Sequence, residues 1–261
     1  MPDLTRPGTR PTLSDRFRRL LSWALWLAAF GCCAGGLVVT LFLTRPLTTA
    51  VLVEGAAFAL AYPLGYSTVG LVLTLRRPGN PIGWLYAGSG LVWSLLLPME
   101  PWVTRLLLDQ RPLPLPAQLA VVAGELIWAP AILLGITLPA LLVPDGRLRS
   151  PRWRVVAVAA VVGATVGMLA ASLIPGQTTE TVVPVENPFA VSGTPARVAT
   201  VVGTVCLLLH TLSLVAALLC VVLRFRASRG SSASSCAGSW PGPPSPWSGC
   251  PSRSPGPCPS G

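Results

Sequence analysis

The chain has 261 residues, of which 52% are hydrophobic and only 11% charged, with a mean hydropathy of +0.64. So few charges cannot cover the surface of a soluble domain of this length, which excludes an ordinary water-soluble fold. The formal charge of +10 comes from 19 arginines and no lysine, placed beside apolar runs rather than on one soluble face. That placement points to lipid headgroups and away from nucleic acid.

A basic arm, residues 1–19, carries Arg6, Arg10, Arg16, Arg18 and Arg19. The first apolar run, about 20–43, is longer than a signal-peptide core, and no small-x-small cleavage site precedes Thr44–Pro46. It reads as a retained anchor. Further runs follow at about 51–75, 82–97, 119–143, 153–174 and 198–223. About 20 apolar residues cross the hydrocarbon of a bilayer as a helix. Only helices and closed barrels satisfy their own backbone polar groups there. The expected fold is an all-α membrane protein, a six-helix transmembrane bundle over residues 20–229 with a disordered C-terminal tail over 230–261.

Arginines alternate between the connections. Besides the arm, Arg76 and Arg77 follow the second run, Arg147, Arg149, Arg152 and Arg154 the fourth, and Arg224, Arg226 and Arg229 the sixth. The opposite connections hold only Arg45, Arg105, Arg111 and Arg197. Positive residues stay on the cytoplasmic side, so the expected location is the cell membrane with both termini cytoplasmic. The two longer outer connections, about Pro98–Gln118 and Pro175–Arg197, are too short to bury a core of their own.

Three connecting segments have unusual composition. In Arg76-Arg77-Pro78-Gly79-Asn80-Pro81-Ile82-Gly83-Trp84, two arginines end a span, Pro78 to Pro81 cannot continue a helix, and Trp84 suits the interface. Leu142-Val143-Pro144-Asp145-Gly146-Arg147-Leu148-Arg149-Ser150-Pro151-Arg152-Trp153-Arg154 repeats that logic, with Pro-Asp-Gly as the turn and Trp153 opening the next span. The third is Glu186-Asn187-Pro188-Phe189.

With these three motifs in order, the chain resembles the membrane-embedded input region of a family of actinobacterial sensor histidine kinases, over residues from about 15 to 230. That family has an Arg-Arg-Pro-x-Asn-Pro-Ile-Gly-Trp turn after its second span. A Phe-Pro-Asp-Gly-Arg-Leu-x-Ser-x-Arg-Trp loop follows its fourth, where this chain has Val143 for the phenylalanine. An Asn-Pro pair, here Asn187 and Pro188, precedes the last span of the set. The resemblance implies a signal-transducing membrane sensor that works as a dimer and addresses a response regulator through a kinase domain.

At Gly230 the composition changes to Ser, Pro, Gly, Cys, Ala and Trp, with Arg253 the one charge. Such a segment cannot bury enough apolar surface to fold. In the resembling family, the Arg224–Gly230 segment is followed by something close to Val-Glu-Arg-Gln-Gln-Leu-Arg-Trp, then more spans and the kinase. With suitable synonymous codons, that stretch read one base later gives Ser-Ser-Ala-Ser-Ser-Cys-Ala-Gly, the sequence of Ser231–Gly238. The tail therefore reads as a frameshift that truncates the protein. A kinase needs a phospho-accepting histidine and an ATP-binding domain with a phosphate-holding glycine loop. The one histidine, His210, sits deep in an apolar run, so the chain alone is expected to be inactive as a phosphotransferase, with no catalytic residue.

Inside the spans, Glu54, Glu125 and His210 are the ionisable groups that suggest a proton path, a sensing site or an internal pair. The plainer reading has the glutamates hydrated near the outer interface and a neutral His210 bonded within the bundle. Tyr62, Tyr66 and Trp128 read first as packing. Pro63, Pro130 and Pro139 can kink their helices. Gly31-x-x-x-Gly35 and Gly163-x-x-x-Gly167 permit close helix approach, first within the bundle and second between two copies as a homodimer. Cys32, Cys33, Cys206 and Cys220 act as small apolar residues, and Cys236, Cys250 and Cys258 lack ligand spacing, so neither metal nor other cofactor is expected. The rival reading is a small transporter or channel with the two glutamates and His210 on its path, although no inverted repeat supports it.

Overall fold

The fold is described from a computed structural model, over residues 13–44, 48–110, 112–148, 150–176 and 185–235. Among these residues all regular structure longer than a single bridge is helical. In chain order the helices are α1 (Leu13–Leu43), α2 (Thr49–Arg76), α3 (Pro81–Leu108), α4 (Leu115–Leu126), α5 (Trp128–Leu142), α6 (Pro151–Ala171) and α7 (Thr194–Ser235). Five of them are long and apolar enough to cross a membrane, and six crossings result if α4 and α5, bent by 45°, count as one. Residues up to Val222 form one compact unit, and the end of α7 from Leu223 belongs to a second.

Burial runs opposite to that of a soluble bundle. The most buried positions are small or hydroxylic, such as Ala29, Ser67, Ser89, Ser94, Thr137, Ala160 and Ala217, while Phe42, Val155 and Leu212 are 75, 71 and 66% exposed. Lipid tails are as apolar as leucine, so a membrane bundle gains from close backbone packing and leaves its large apolar side chains outside. In water the same surface would be one continuous apolar patch. The chain is built as a multi-pass membrane protein.

Prolines set the breaks. A proline has no N–H for the carbonyl four residues back, and its ring collides with it. Pro63 faces Ala59, where the α-helical part of α2 gives way to a π turn at Leu60–Leu64. Pro98 faces Ser94, where α3 breaks before Leu95. Pro130 faces Leu126, the last residue of α4, and Pro139 lies four residues after Gly135 inside the π turn Leu133–Thr137. Just past the π turn of α2, Ser67 Oγ donates to Pro63 O at 2.5 Å, a hydroxyl bond back to the preceding turn.

Helix α3 corrects the third apolar run. It continues through Pro98 and Pro101 to Leu108, so most of the expected outer connection Pro98–Gln118 is helix. Pro98 falls in the first turn after the break, where its missing N–H costs little. Beyond it, Val103 packs on Ala117, Ala120 and Val121 of α4. The tail boundary at Gly230 also moves. Helix α7 passes through Gly230 to Ser235, since Ser231–Ser235 contains no proline to stop it. The expected disorder of residues 236–261, and Cys236, Cys250 and Cys258 with it, lies outside the described residues, as does most of the basic arm.

Helices α2 and α3 form the tightest pair. A Cβ on Gly70 would strike the backbone of Ala87, one on Gly83 would sit 2.8 Å from Thr74 N, and one on Gly90 would strike Ser67 and Pro63 O. Helix α1 joins them through Gly36 against Leu97 and a 3.1 Å bond from Trp26 Nε1 to Thr68 Oγ1. Helix α5 docks on α3 where Ser89 Oγ donates to Ala131 O at 2.9 Å.

Candidate functional site

The two loops that carry the resemblance lie against each other. Asn80 caps α3, its Oδ1 accepting from Ile82 N at 3.0 Å, and Pro81 takes the first helical position that suits its missing N–H. Across from it, Gly146 adopts φ +71° and donates its N–H to Leu142 O at 2.8 Å, closing the end of α5. A Cβ on Gly146 would lie 2.7 Å from Asn80 Oδ1 and 2.8 Å from Pro81 Cδ. Glycine is therefore required twice, for its positive φ and for the contact. Around this junction Arg76, Arg77, Pro78, Pro144, Asp145, Arg147 and Arg152 are exposed, while Trp84 and Trp153 are half-buried at the helix starts. Gly83 is buried in the α2–α3 seam.

The third motif serves a different end of the bundle. Asn187 Nδ2 donates to Ser172 O at 3.0 Å and Ile174 O at 2.9 Å, satisfying carbonyls past the end of α6. Its Oδ1 accepts from Phe189 N at 3.0 Å, an Asx turn that fixes the following aromatic ring. Pro188 is exposed and stiffens the turn. Sequence reasoning found the Asn-Pro pair but not this capping role, because its partners lie 13 and 15 residues away.

The intramembrane candidates do not converge. Glu54 is exposed on α2, Glu125 is half-buried at the end of α4, and His210 is buried on α7. Among the described residues no three His, Cys, Asp or Glu side chains gather as a metal site would require. His210 Nδ1 lies 3.3 Å from Ala160 O on α6, so with the proton on Nδ1 it donates across the helix pair. Its Nε2 is buried with no hydrogen-bond partner. A buried acceptor left unpaired costs about 1–3 kcal/mol.

The two glycine pairs separate. A Cβ on Gly163 would sit 2.8 Å from Cys206 O and 2.9 Å from His210 N, so this pair packs α6 on α7 inside the bundle. Gly31 and Gly35 meet nothing within 4 Å, and it is Gly36 that makes the α1 contact. The aromatic residues pack with one another: Trp93 is 4.7 Å from Trp128 and 5.2 Å from Tyr62 between ring centres, and Tyr66 stacks on Tyr86 at 5.6 Å. These are packing contacts.

No protein family, curated protein or solved structure matches this chain. The class that fold and site define is a helical multi-pass membrane protein with two interlocked loops at one end and a capped loop at the other.

Proposed function

We propose that the chain is the membrane-embedded input region of a two-component sensor histidine kinase. What supports this most is that the two loops bearing the resemblance, Arg76–Trp84 and Val143–Arg154, meet through Gly146 on Asn80 and Pro81. Paired loops of this kind tie four helix ends together, as a signal leaving a bundle requires. In this reading the bent pair α4–α5 is one of six spans. The arginine-rich connections and both termini are cytoplasmic. The response regulator is reached through a kinase domain, and two copies pair in the membrane. The segment after Gly230 is translated out of frame.

The test is the DNA after codon 230, read in all three frames. One base away it should encode Glu-Arg-Gln-Gln-Leu-like residues, further apolar spans and a kinase. Restoring that base should yield a longer membrane protein that autophosphorylates, whereas the present chain given labelled ATP should gain no acid-labile phosphate. Downstream frames without such a sequence, or phosphate on His210, would overturn the proposal. The transporter reading has no matching support, because Glu54, Glu125 and His210 share no cluster.

A further inference from the structure

A cavity of about 560 Å3 opens between α3, α4 and α6, and it touches both helix breaks, Leu95 in α3 and Ile127 between α4 and α5. Pro130 lines it at the 45° bend between α4 and α5, where two straight helices would otherwise pack. We infer that this cavity is a binding site for one hydrocarbon chain, the acyl tail of a membrane amphiphile.

The chemistry of the wall carries the inference. No charged residue lines the cavity, and its one hydroxyl, Ser172 Oγ, is already committed to Leu169 O at 2.8 Å. Half-buried Val122, Ala123 and Met168 line it, the last a flexible side chain that fits irregular apolar partners. A ligand here has nothing to donate to or accept from, so it must be apolar along the part that enters. Volume sets its size. A dry cavity of roughly 150 Å3 holds benzene, and ligand pockets span roughly 300–1,000 Å3, so this one takes a chain rather than a gas or a single ring.

The mouth suits a ligand arriving from lipid. Leu95, Leu119 and Leu173 on its rim are 42, 52 and 40% exposed, so a tail slides in laterally without passing a polar barrier. One wall is fixed by design of the third motif. Phe189 lines the cavity, held by its N–H on Asn187 Oδ1, and Val191 N donates to Leu173 O at 3.1 Å to pin the same strap. The site requires no kinase partner and stands whether or not the chain belongs to a sensor.

The experiment uses the full chain in phosphatidylcholine nanodiscs with palmitic acid carrying a diazirine near its methyl end. Irradiation and peptide mass spectrometry should place adducts on the segments holding Leu119, Ala123, Met168 and Phe189. This labelling should saturate, be competed by plain palmitic acid and be lost in Ala123→Trp, which puts an indole into the cavity. Phe189→Ala removes one wall without crowding the core and should raise the half-saturating concentration. The site is refuted by labelling that merely tracks exposure over α1 and α7 without saturating, or by saturable labelling that survives Ala123→Trp. It is equally refuted by cross-links showing a second copy seated at Leu119. If Ala123→Trp does not fold, an unchanged half-saturation in Phe189→Ala refutes it.

Discussion

Replacing Gly83 by alanine should loosen the α2–α3 pair. The added Cβ would stand 2.8 Å from Thr74 N, 2.9 Å from Thr74 Cγ2 and 3.0 Å from Leu73 Cβ, and the backbone nitrogen cannot turn aside as a side-chain end would. Overpacking of this kind costs about 1–3 kcal/mol. Alanine recovers about 0.5–1 kcal/mol of helix propensity, which offsets only part of that. The net loss is about 1–2 kcal/mol, enough to shift the folded-to-unfolded ratio by roughly 5–30-fold. Gly31→Ala is the matched control, because a Cβ there meets nothing within 4 Å and only the propensity gain remains. Reversible unfolding in mixed micelles, followed by far-ultraviolet circular dichroism, should rank Gly31→Ala at or above the parent and Gly83→Ala below it. The packing argument fails if Gly83→Ala is as stable as the parent. If Gly31→Ala loses as much as Gly83→Ala, its face is covered by something, and a second copy becomes the first suspect.

Gly146→Ala should lose at least about 1–2 kcal/mol from its positive φ alone, and hydrogen exchange should quicken at the Ile82 amide as Asn80 is displaced; unchanged exchange there would separate the two loops. Asn187→Ala removes two donated bonds and one accepted bond, worth about 1–3 kcal/mol together, and should expose the Val185–Val191 segment to protease; equal cleavage of the two proteins would deny it the capping role. His210→Leu keeps bulk while removing the unpartnered Nε2 together with the Nδ1 bond to Ala160 O, two effects of opposite sign, so its stability should stay within about 1 kcal/mol of the parent; a loss above about 3 kcal/mol, more than the Nδ1 bond accounts for, would show that Nε2 is engaged. Reporter fusions after Arg77 and Arg154 should score cytoplasmic and fusions near Gln110 external, a pattern that a cytoplasmic signal at Gln110 would contradict.

The helices were legible because apolar length is written directly in the residues, and most ends moved by a few positions; the larger shifts are the start of α1 at Leu13, the end of α7 at Ser235 and the end of α3 at Leu108, where proline misled. Pro63, Pro130 and Pro139 signalled breaks inside helices, and Pro98, of the same type, signalled a loop that does not exist. Pro98 stands third in the segment after its break, the same register as Pro130, so nothing local separates a break from an end. The loop motifs could be found from turn chemistry, yet their meeting at Gly146 depends on how α3 and α5 lie together. The glycine pairs make the same point. Gly31–Gly35 and Gly163–Gly167 have identical spacing, but spacing states how closely a partner could come and not whether one does. Seam residues such as Gly70 and Gly90 passed unnoticed because their matching partners, Ala87 and Ser67, sit on another helix.

With Gly70, Gly83 and Gly90 bringing backbone close to backbone, α2 and the first half of α3 have little side chain between them along that seam. Neither helix can roll or slide along the other without collision, so the two behave as a single stiff rod with the Arg77–Asn80 turn as its tip. A disturbance at one end of that rod must reappear at the other as tilt, while the joint at Leu95 decides how much of it reaches the far half of α3.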